Sequence, residues 1–462
     1  MSLSRIAEVR VTPILISDPP LLNLQGVHQP YTPRTVVEVI TEGGAVGLGE
    51  TYGDTDYLKL AQEFGPRLVG GAPAVNQLGA DVLACAEQVG AERVDNAVQT
   101  EGLRGSRTLA KIASSVASAF EVAIYDAIGH ELGVPVHALL GGKVRDSVEY
   151  SAYLFYRWAE HPKEARMNDD GGGPFIRDDR VGVSRRTDRV RVSRKTPPDG
   201  PRDDWGAALD PEGVVTQAKR MAEQYGFSSF KLKGGVFEPA QEVAAIHALR
   251  EAFPGHPLRL DPNGAWSVAT SLEVADRLEG VAEYLEDPTT GTANMAEVAR
   301  KTSLPLATNM CVTAFDEIPE AFTLDAVQVV LSDHHYWGGL RATQDLAAIC
   351  RAYGVGLSMH SNTHLGISLA AMTHVASTVP GLRYACDTHR PWQTEDVITE
   401  PHTFADGAVR VSDTPGLGIE LDRDALATLH ARWLESDVRR RDDAAAMRRV
   451  RPEWTAPKFP RW

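Results

Sequence analysis

The sequence predicts an α/β protein: a modified (β/α) barrel preceded by an α+β capping domain. Three observations carry this. From Val148 onward, eight short β-rich runs alternate with helix-length segments. Polar residues stand where six successive runs end. Ahead of the barrel the order differs, with strands first and helices after.

The elements follow in chain order. Residues 1–140 form the predicted capping domain. In it, Ile6–Ile16, Thr35–Thr41 and Val46–Glu50 read as strands, the last two joined by Glu42-Gly43-Gly44. Helical patterns cover Asp56–Leu68, Asn76–Glu87 and Leu109–Leu132, and Gly133-Val134-Pro135 stops the last. Residues 141–399 form the predicted barrel. Its strands are Glu149–Phe155, Phe230–Lys233, Leu258–Asp261, Tyr284–Glu286, Leu306–Asn309, Val327–Asp333, Leu357–His360 and Arg383–Asp387. Residues 167–204 interrupt it with Gly171-Gly172-Gly173 and interleaved Arg and Asp, a composition that buries little. This insertion follows the first barrel strand, so it belongs to the C-terminal face, as a lid or as a solvated excursion without a catalytic role. Residues 400–462 read as a short β segment, a helix from Arg423 to about Asp437, and a Pro/Trp-rich tail that packs back on the N-terminal layer.

Composition narrows the function. Of 462 residues, 43% are hydrophobic and 24% charged, ordinary for a globular enzyme. A formal charge of −15 argues against nucleic acid or an anionic membrane as partner. A small anionic substrate stays possible, because a local metal or lysine pair overrides the global field. The four cysteines show no CxxC spacing and read as free thiols in a reducing compartment. Residues 1–13 show no apolar core of a signal peptide, and no apolar run reaches membrane-spanning length. A cytoplasmic enzyme is expected.

The chemistry lies at the strand ends. Lys233, Asp261, Glu286, Asn309, Asp333 and His360 follow one another at intervals of 28, 25, 23, 24 and 27 residues, about one βα unit each. In a barrel those ends converge on one mouth. Asp261, Glu286 and Asn309 offer three hard oxygen ligands without His or Cys, a set suited to Mg2+. Asp-Pro-Asn-Gly and Glu-Asp-Pro are also turn sequences, so it is the common phase that points to a metal. Lys231 and Lys233 alternate on one strand and point the same way, and two adjacent ammonium groups are expected to lower one pKa. Asp333 and His360 end adjacent strands, where a carboxylate holds an imidazole's tautomer; His334 and His335 are the competing imidazoles. Ser361 and Asn362 add a hydroxyl and an amide at the same rim. Together these describe removal of a proton beside a metal-bound carboxylate, followed by loss of a β-hydroxyl.

Phe230-Lys231-Leu232-Lys233-Gly234-Gly235-Val236, Asp261-Pro262-Asn263-Gly264-Ala265-Trp266, Glu286-Asp287-Pro288, Ala307-Thr308-Asn309-Met310 and His360-Ser361-Asn362 resemble the enolase superfamily, and within it the glucarate dehydratase family. The resemblance covers nearly the whole chain except 167–204. It implies that Lys233, tuned by Lys231, serves one epimer and that His360, paired with Asp333, serves the other and expels hydroxide. The implied substrates are D-glucarate and L-idarate, and the product 5-dehydro-4-deoxy-D-glucarate. It also implies a homo-oligomer and substrate contacts at Asn23, His28, Ser118, Tyr153, Ser361, His389 and Arg441, the last as a bidentate clamp on the distal carboxylate. The chain departs from the family at Ser118, where a Thr is usual, at Thr289-Thr290, in place of Cys-Gly, and at Gly366, in place of an acid. These leave open a related acid-sugar dehydratase or epimerase, or a binding paralogue.

Overall fold

The computed structural model describes residues 3–89, 108–161 and 203–462. The chain opens with β1 (Ile6–Ser17), a ribbon of β2 (Leu22–Asn23) and β3 (Gly26–Val27), then β4 (Tyr31–Thr41) and β5 (Val46–Tyr52). β4 lies between β1 and β5, antiparallel to both. Helices α1 (Thr55–Phe64), α2 (Leu78–Gln88) and α3 (Leu109–Leu132) complete this layer, followed by the short α4 (Val136–Leu139). The hydroxyl of Thr108 caps α3 by accepting from Lys111 N, and Gly133 ends it at φ 68°. α3 presses on β5 because Gly47 and Gly49 have no Cβ; one there would strike the carbonyls of Ala123 and Ala119. By length and composition α3 qualifies as a membrane span, but it is the buried spine of this layer.

Eight parallel strands follow: β6 (Ser147–Phe155), β7 (Phe230–Lys233), β8 (Leu258–Asp261), β9 (Tyr284–Glu286), β10 (Leu306–Thr308), β11 (Val329–Ser332), β12 (Gly356–Met359) and β13 (Cys386–Thr388). β6 to β12 pair in sequence order, and β13 pairs with β6. Between β12 and β13 the Ser358 hydroxyl donates to Ala385 O at 3.0 Å, which draws the barrel shut. The intervening helices are α5 (Pro211–Tyr225), α6 (Pro239–Ala252), α7 (Val268–Leu278), α8 (Thr292–Ala299), α9 (Ile318–Thr323), α10 (His334–Trp337), α11 (Leu340–Tyr353) and α12 (Gly366–Thr378). Local sequence starts them: Asp210 accepts from Gly213 N ahead of α5, with Pro211 at its first position, and Ser267 accepts from Thr270 N ahead of α7. Strands β7 to β11 are buried end to end, as expected of a sheet covered on both faces.

Three strands stop one residue earlier than the sequence implied, at Thr308, Ser332 and Met359. Asn309, Asp333 and His360 are therefore the first residues past the ladder. Beyond the barrel, β14 (Phe404–Ala405) and β15 (Ala408–Arg410) form a hairpin, and β15 pairs antiparallel with β6. α13 (Arg423–Glu435) lies on β1, with His430 Nδ1 2.7 Å from Pro13 O and Arg432 Nη1 3.1 Å from Leu15 O. A last helix, α14 (Asp443–Val450), stands where the sequence reading placed an irregular tail. It is short and Arg-rich, so its periodicity is weak, but Asp442 caps it by accepting from Ala445 N at 2.8 Å. The stretch at 167–204 lies outside the described residues, except for Asp203 and Asp204. Asp203 forms a two-pronged pair with Arg157 at 2.8 and 2.7 Å.

Candidate active site

The strand ends meet as their spacing implied. Lys233 Nζ donates to Asp261 Oδ2 at 2.6 Å, from one strand to the next. Lys231 Nζ donates to Asp387 Oδ2 at 2.6 Å and lies 2.8 and 2.7 Å from the two oxygens of Glu286. Both ammonium groups lie over the ring of Tyr153, at 4.7 and 5.7 Å. The loop after β7 hangs on Glu242, whose carboxylate accepts from Gly235, Val236 and Phe237 N at 2.9–3.0 Å. Asp287 fixes the next position by accepting from Asn309 N at 2.8 Å and from the Thr308 hydroxyl at 2.5 Å. Asn309 Nδ2 in turn donates to Glu286 Oε1 at 2.9 Å.

Of the two lysines, Lys231 is not the one whose pKa falls. The lysine pair was expected to lower one amine's pKa by mutual repulsion. Burial does work against the charged form of Lys231, but Asp387 and Glu286 prevail and hold its ammonium well above the usual lysine range. Asp261 Oδ2, 3.7 Å from Lys231 Nζ and 2.6 Å from Lys233 Nζ, stands between the two ammonium groups and offsets their repulsion.

Asp333 is the centre of a second cluster. Oδ1 accepts from His335 N at 3.0 Å and faces His335 Nδ1 at 2.8 Å; Oδ2 faces His360 Nδ1 at 3.3 Å and His364 Nε2 at 3.4 Å. Against the cost of burial, His364, His335 and the hydrogen bonds from His335 and His360 hold Asp333 well below the carboxylate range. An ionised carboxylate only accepts, so His360 donates from Nδ1 and keeps the lone pair on Nε2. Burial, opposed by Asp333, lowers His360 below the ordinary imidazole value, which favours the neutral ring. Atoms of Asp333, His334 and His335 lie within 4.8 Å of one another, close enough for a metal. But His335 commits both nitrogens, one to Asp333 and the other to the Ser368 hydroxyl at 3.0 Å, so the cluster works as a hydrogen-bond hub.

Lys233, His360, Ser361 and Asn362 line one pocket with Asn23, His28, Tyr153, His389 and Arg441. The capping layer thus closes the barrel mouth. His28 Nδ1 lies 2.9 Å from Asp18 Oδ1, a second imidazole–carboxylate pair. His389 packs edge-on to Tyr153, ring centroids 4.7 Å apart, with Nδ1 3.4 Å from Ser361 Oγ. Ser118 is not brought to this pocket. It is fully buried within α3, and its hydroxyl has no hydrogen-bond partner among the described residues. It lies one helical turn from Ser114 and from Glu121, on the face of α3 that meets the Gly338-Gly339 turn between α10 and α11. Arg441 faces the pocket, but its fork is already engaged: Nε lies 3.1 Å from both oxygens of Asp443 and Nη2 2.9 Å from one. Gln25, Asp54, Phe155 and Asp443 also line the pocket and went unread in the sequence. Phe155 shares the strand phase of Tyr153, and Asp443 is the second of the two acids that follow Arg441, so both had a signal. Gln25 and Asp54 lie in loops without one.

With the geometry in place, comparison with known proteins decides the family. The chain is 61% identical over 460 residues to a probable glucarate dehydratase of Streptomyces coelicolor, covering 99% of both. The chain belongs to the enolase superfamily, on its glucarate dehydratase branch. The enolase C-terminal domain-like family model matches residues 213–425. Among solved structures, a Pseudomonas fluorescens enolase with bound magnesium, potassium and tartrate is 45% identical, at a TM-score of 0.89 over 100% of both chains. A Thermobispora bispora enolase complexed with magnesium and formate is 47% identical, at a TM-score of 0.86 over 100% of both chains. The chain is accordingly an enzyme of the hydro-lyase kind.

The donor set fits the divalent ion those superfamily members carry. Asp261, Glu286 and Asn309 end successive strands, are almost fully buried and offer oxygen alone. Burial and then repulsion from Asp261 push Glu286 well above the carboxylate range, against the pull of Lys231. Two buried carboxylates held together at such a cost are what a hard cation relieves. The departure at Gly366 is filled from elsewhere: a Cβ there would strike Ile398, and Asp396 accepts from Gly366 N at 2.9 Å. An acid thus remains at the start of α12, carried by another loop.

Proposed function

We propose that this enzyme dehydrates an acid sugar, D-glucarate and L-idarate in particular, to 5-dehydro-4-deoxy-D-glucarate. One observation carries the reading: Lys233 and His360 line a single pocket, each backed by its own carboxylate, Asp261 and Asp333. In this reading Asp261, Glu286 and Asn309 hold Mg2+, which when bound stabilises negative charge on the substrate carboxylate. Lys233 Nζ takes the proton from the carbon beside that carboxylate in one epimer. His360 Nε2, with its lone pair free, takes it in the other. The C–O bond at the next carbon then breaks. Where His360 is the base, the proton it has taken goes to the departing hydroxide, which leaves as water; where Lys233 is the base, His360 first takes a proton from solvent, is steadied by Asp333, and gives that one. Lys231 remains charged beneath them, and Tyr153 and His389 exclude solvent from the same wall. The tartrate in the Pseudomonas fluorescens enolase, a short hydroxy diacid, supports this substrate class.

A panel of aldaric and aldonic acids, assayed with and without Mg2+, tests the proposal. Mg2+-dependent turnover of D-glucarate and L-idarate is expected. Brisk turnover of another acid with none of glucarate contradicts it.

A further inference from the structure

We infer that Glu50, in the capping sheet, is a positioning residue for the His360 half of the acid–base site. The inference rests on the reading of His360 as a base. Glu50 is 2% exposed and ends the Gly47-Leu48-Gly49-Glu50 run of β5. Arg34 on β4 holds its Oε1 from Nε at 2.8 Å and Nη2 at 2.5 Å. From there the carboxylate reaches into the other domain. Oε1 accepts from Leu365 N and Oε2 from Ser368 N, each at 3.1 Å.

Those amides belong to the first turn of α12, thirteen residues long, which has no side-chain cap of its own at Leu365. A helix start leaves its amides without intrahelical partners. Glu50 satisfies two of them and so fixes where Ser368 stands. The Ser368 hydroxyl is 3.0 Å from His335 Nε2. His335 Nδ1 is 2.8 Å from Asp333, and Asp333 is 3.3 Å from His360.

The direction of each bond is determined. Asp333 accepts from both imidazoles, so His335 donates from Nδ1 and Ser368 donates to its Nε2. Tyr52, also on β5, lays its ring against His335 at 5.4 Å, over Arg34 at 5.2 Å. The same hairpin therefore holds His335 by packing and by hydrogen bonding. A shift of Ser368 withdraws one donor from His335, lets its ring turn, and loosens the carboxylate that holds the tautomer of His360. Among the described residues, no such chain of hydrogen bonds runs from Lys233 to the capping sheet. Asp261, Glu242 and Tyr153 are all barrel residues.

The test is deuterium incorporation beside the reacting carboxylate, with D-glucarate and L-idarate in D2O and Mg2+, on the full chain. Glu50→Gln keeps the shape but puts a donor where an acceptor is needed. It is expected to slow the His360-dependent exchange by about 10–100-fold, the usual scale for a residue behind a reacting group, while leaving the Lys233-dependent exchange within about twofold. Glu50→Gln strands a buried Arg34, so Ser368→Ala serves as the second variant. It cuts the same chain without touching that ion pair and is expected to give the same one-sided loss, of about fivefold. Equal loss on both faces, or none in either variant, overturns the inference. His360→Asn runs alongside: if it spares both exchanges, the base assignment falls and the positioning role with it. If it is one-sided while the Glu50 and Ser368 variants are not, the positioning role alone falls.

Discussion

Lys233 and His360 face one pocket from supports of different reach. Lys233 is braced within the barrel, by Asp261 on the next strand and by a loop that Glu242 gathers. His360 is braced by Asp333, which also serves His335 and His364, and through Ser368 the cluster is tied to Glu50 on the capping sheet. The lysine arm is built from strand register and the loop that follows β7, which Glu242 and Arg461 hold. The histidine arm needs two domains docked in a fixed relation. Register is robust, because slipping one strand turns every side chain over. A buried polar chain crossing an interface is exacting, because each unpaired member costs about 1–3 kcal/mol. Of the two proposed bases, then, one is braced within the barrel and the other across both domains.

Breaking the histidine arm at its centre has the largest expected effect. Asp333→Asn keeps the shape but offers an amide where two imidazoles need an acceptor. Net dehydration is expected to fall by about 10²-fold or more, with deuterium exchange by Lys233 retained. Loss of both exchanges together would show that Asp333 holds the whole mouth.

The capping side carries an imidazole–carboxylate pair of its own, His28 with Asp18, and it sharpens the comparison through acid stability. Burial alone would raise Asp18, but His28, Arg441 and the Thr32 hydroxyl draw it down from 3.8 to about 2. A carboxylate whose folded pKa lies below its unfolded value stabilises the fold above the unfolded pKa. That stability, about 2 kcal/mol here, is lost as pH falls from about 4 towards 2. Unfolding free energies measured across that window should show the decline in the wild type and a flatter line in Asp18→Asn.

Ser118 gives the smallest effect and serves as a control outside both arms. Ser118→Ala removes a buried hydroxyl that has no hydrogen-bond partner among the described residues. Stability is expected to change by less than about 1 kcal/mol, and kcat and KM by less than about twofold. A large rise in KM would return Ser118 to the substrate.

How much of this was legible in the sequence follows from the same contrast. Lys233, Asp261, Glu286, Asn309, Asp333 and His360 were readable because a barrel converts an interval of 23–28 residues into spatial convergence. The pairing of Asp333 with His360 was readable for the same reason. The rest of the histidine arm was not: Glu50 lies 318 residues from Ser368, and no spacing rule connects a capping strand to the first turn of α12. The setting of the lysine pair was not legible, because the sequence shows two lysines side by side but not the Asp387 and Glu286 oxygens that Lys231 meets or the Asp261 oxygen between the two. Arg441 was read as a clamp for substrate, whereas Asp443, two residues on, takes most of its fork. Ser118 was placed by family resemblance, and the phase of α3 sets it on the face that meets the Gly338-Gly339 turn.

The central claim is that two bases, independently held, serve the two epimers. Deuterium exchange of D-glucarate and of L-idarate by Lys233→Ala and by His360→Asn measures it most directly. The account predicts that each variant abolishes exchange of one epimer and retains that of the other, while both lose net dehydration by about 10²–10⁴-fold. Parallel loss of both exchanges in either variant, or survival of both, would contradict it.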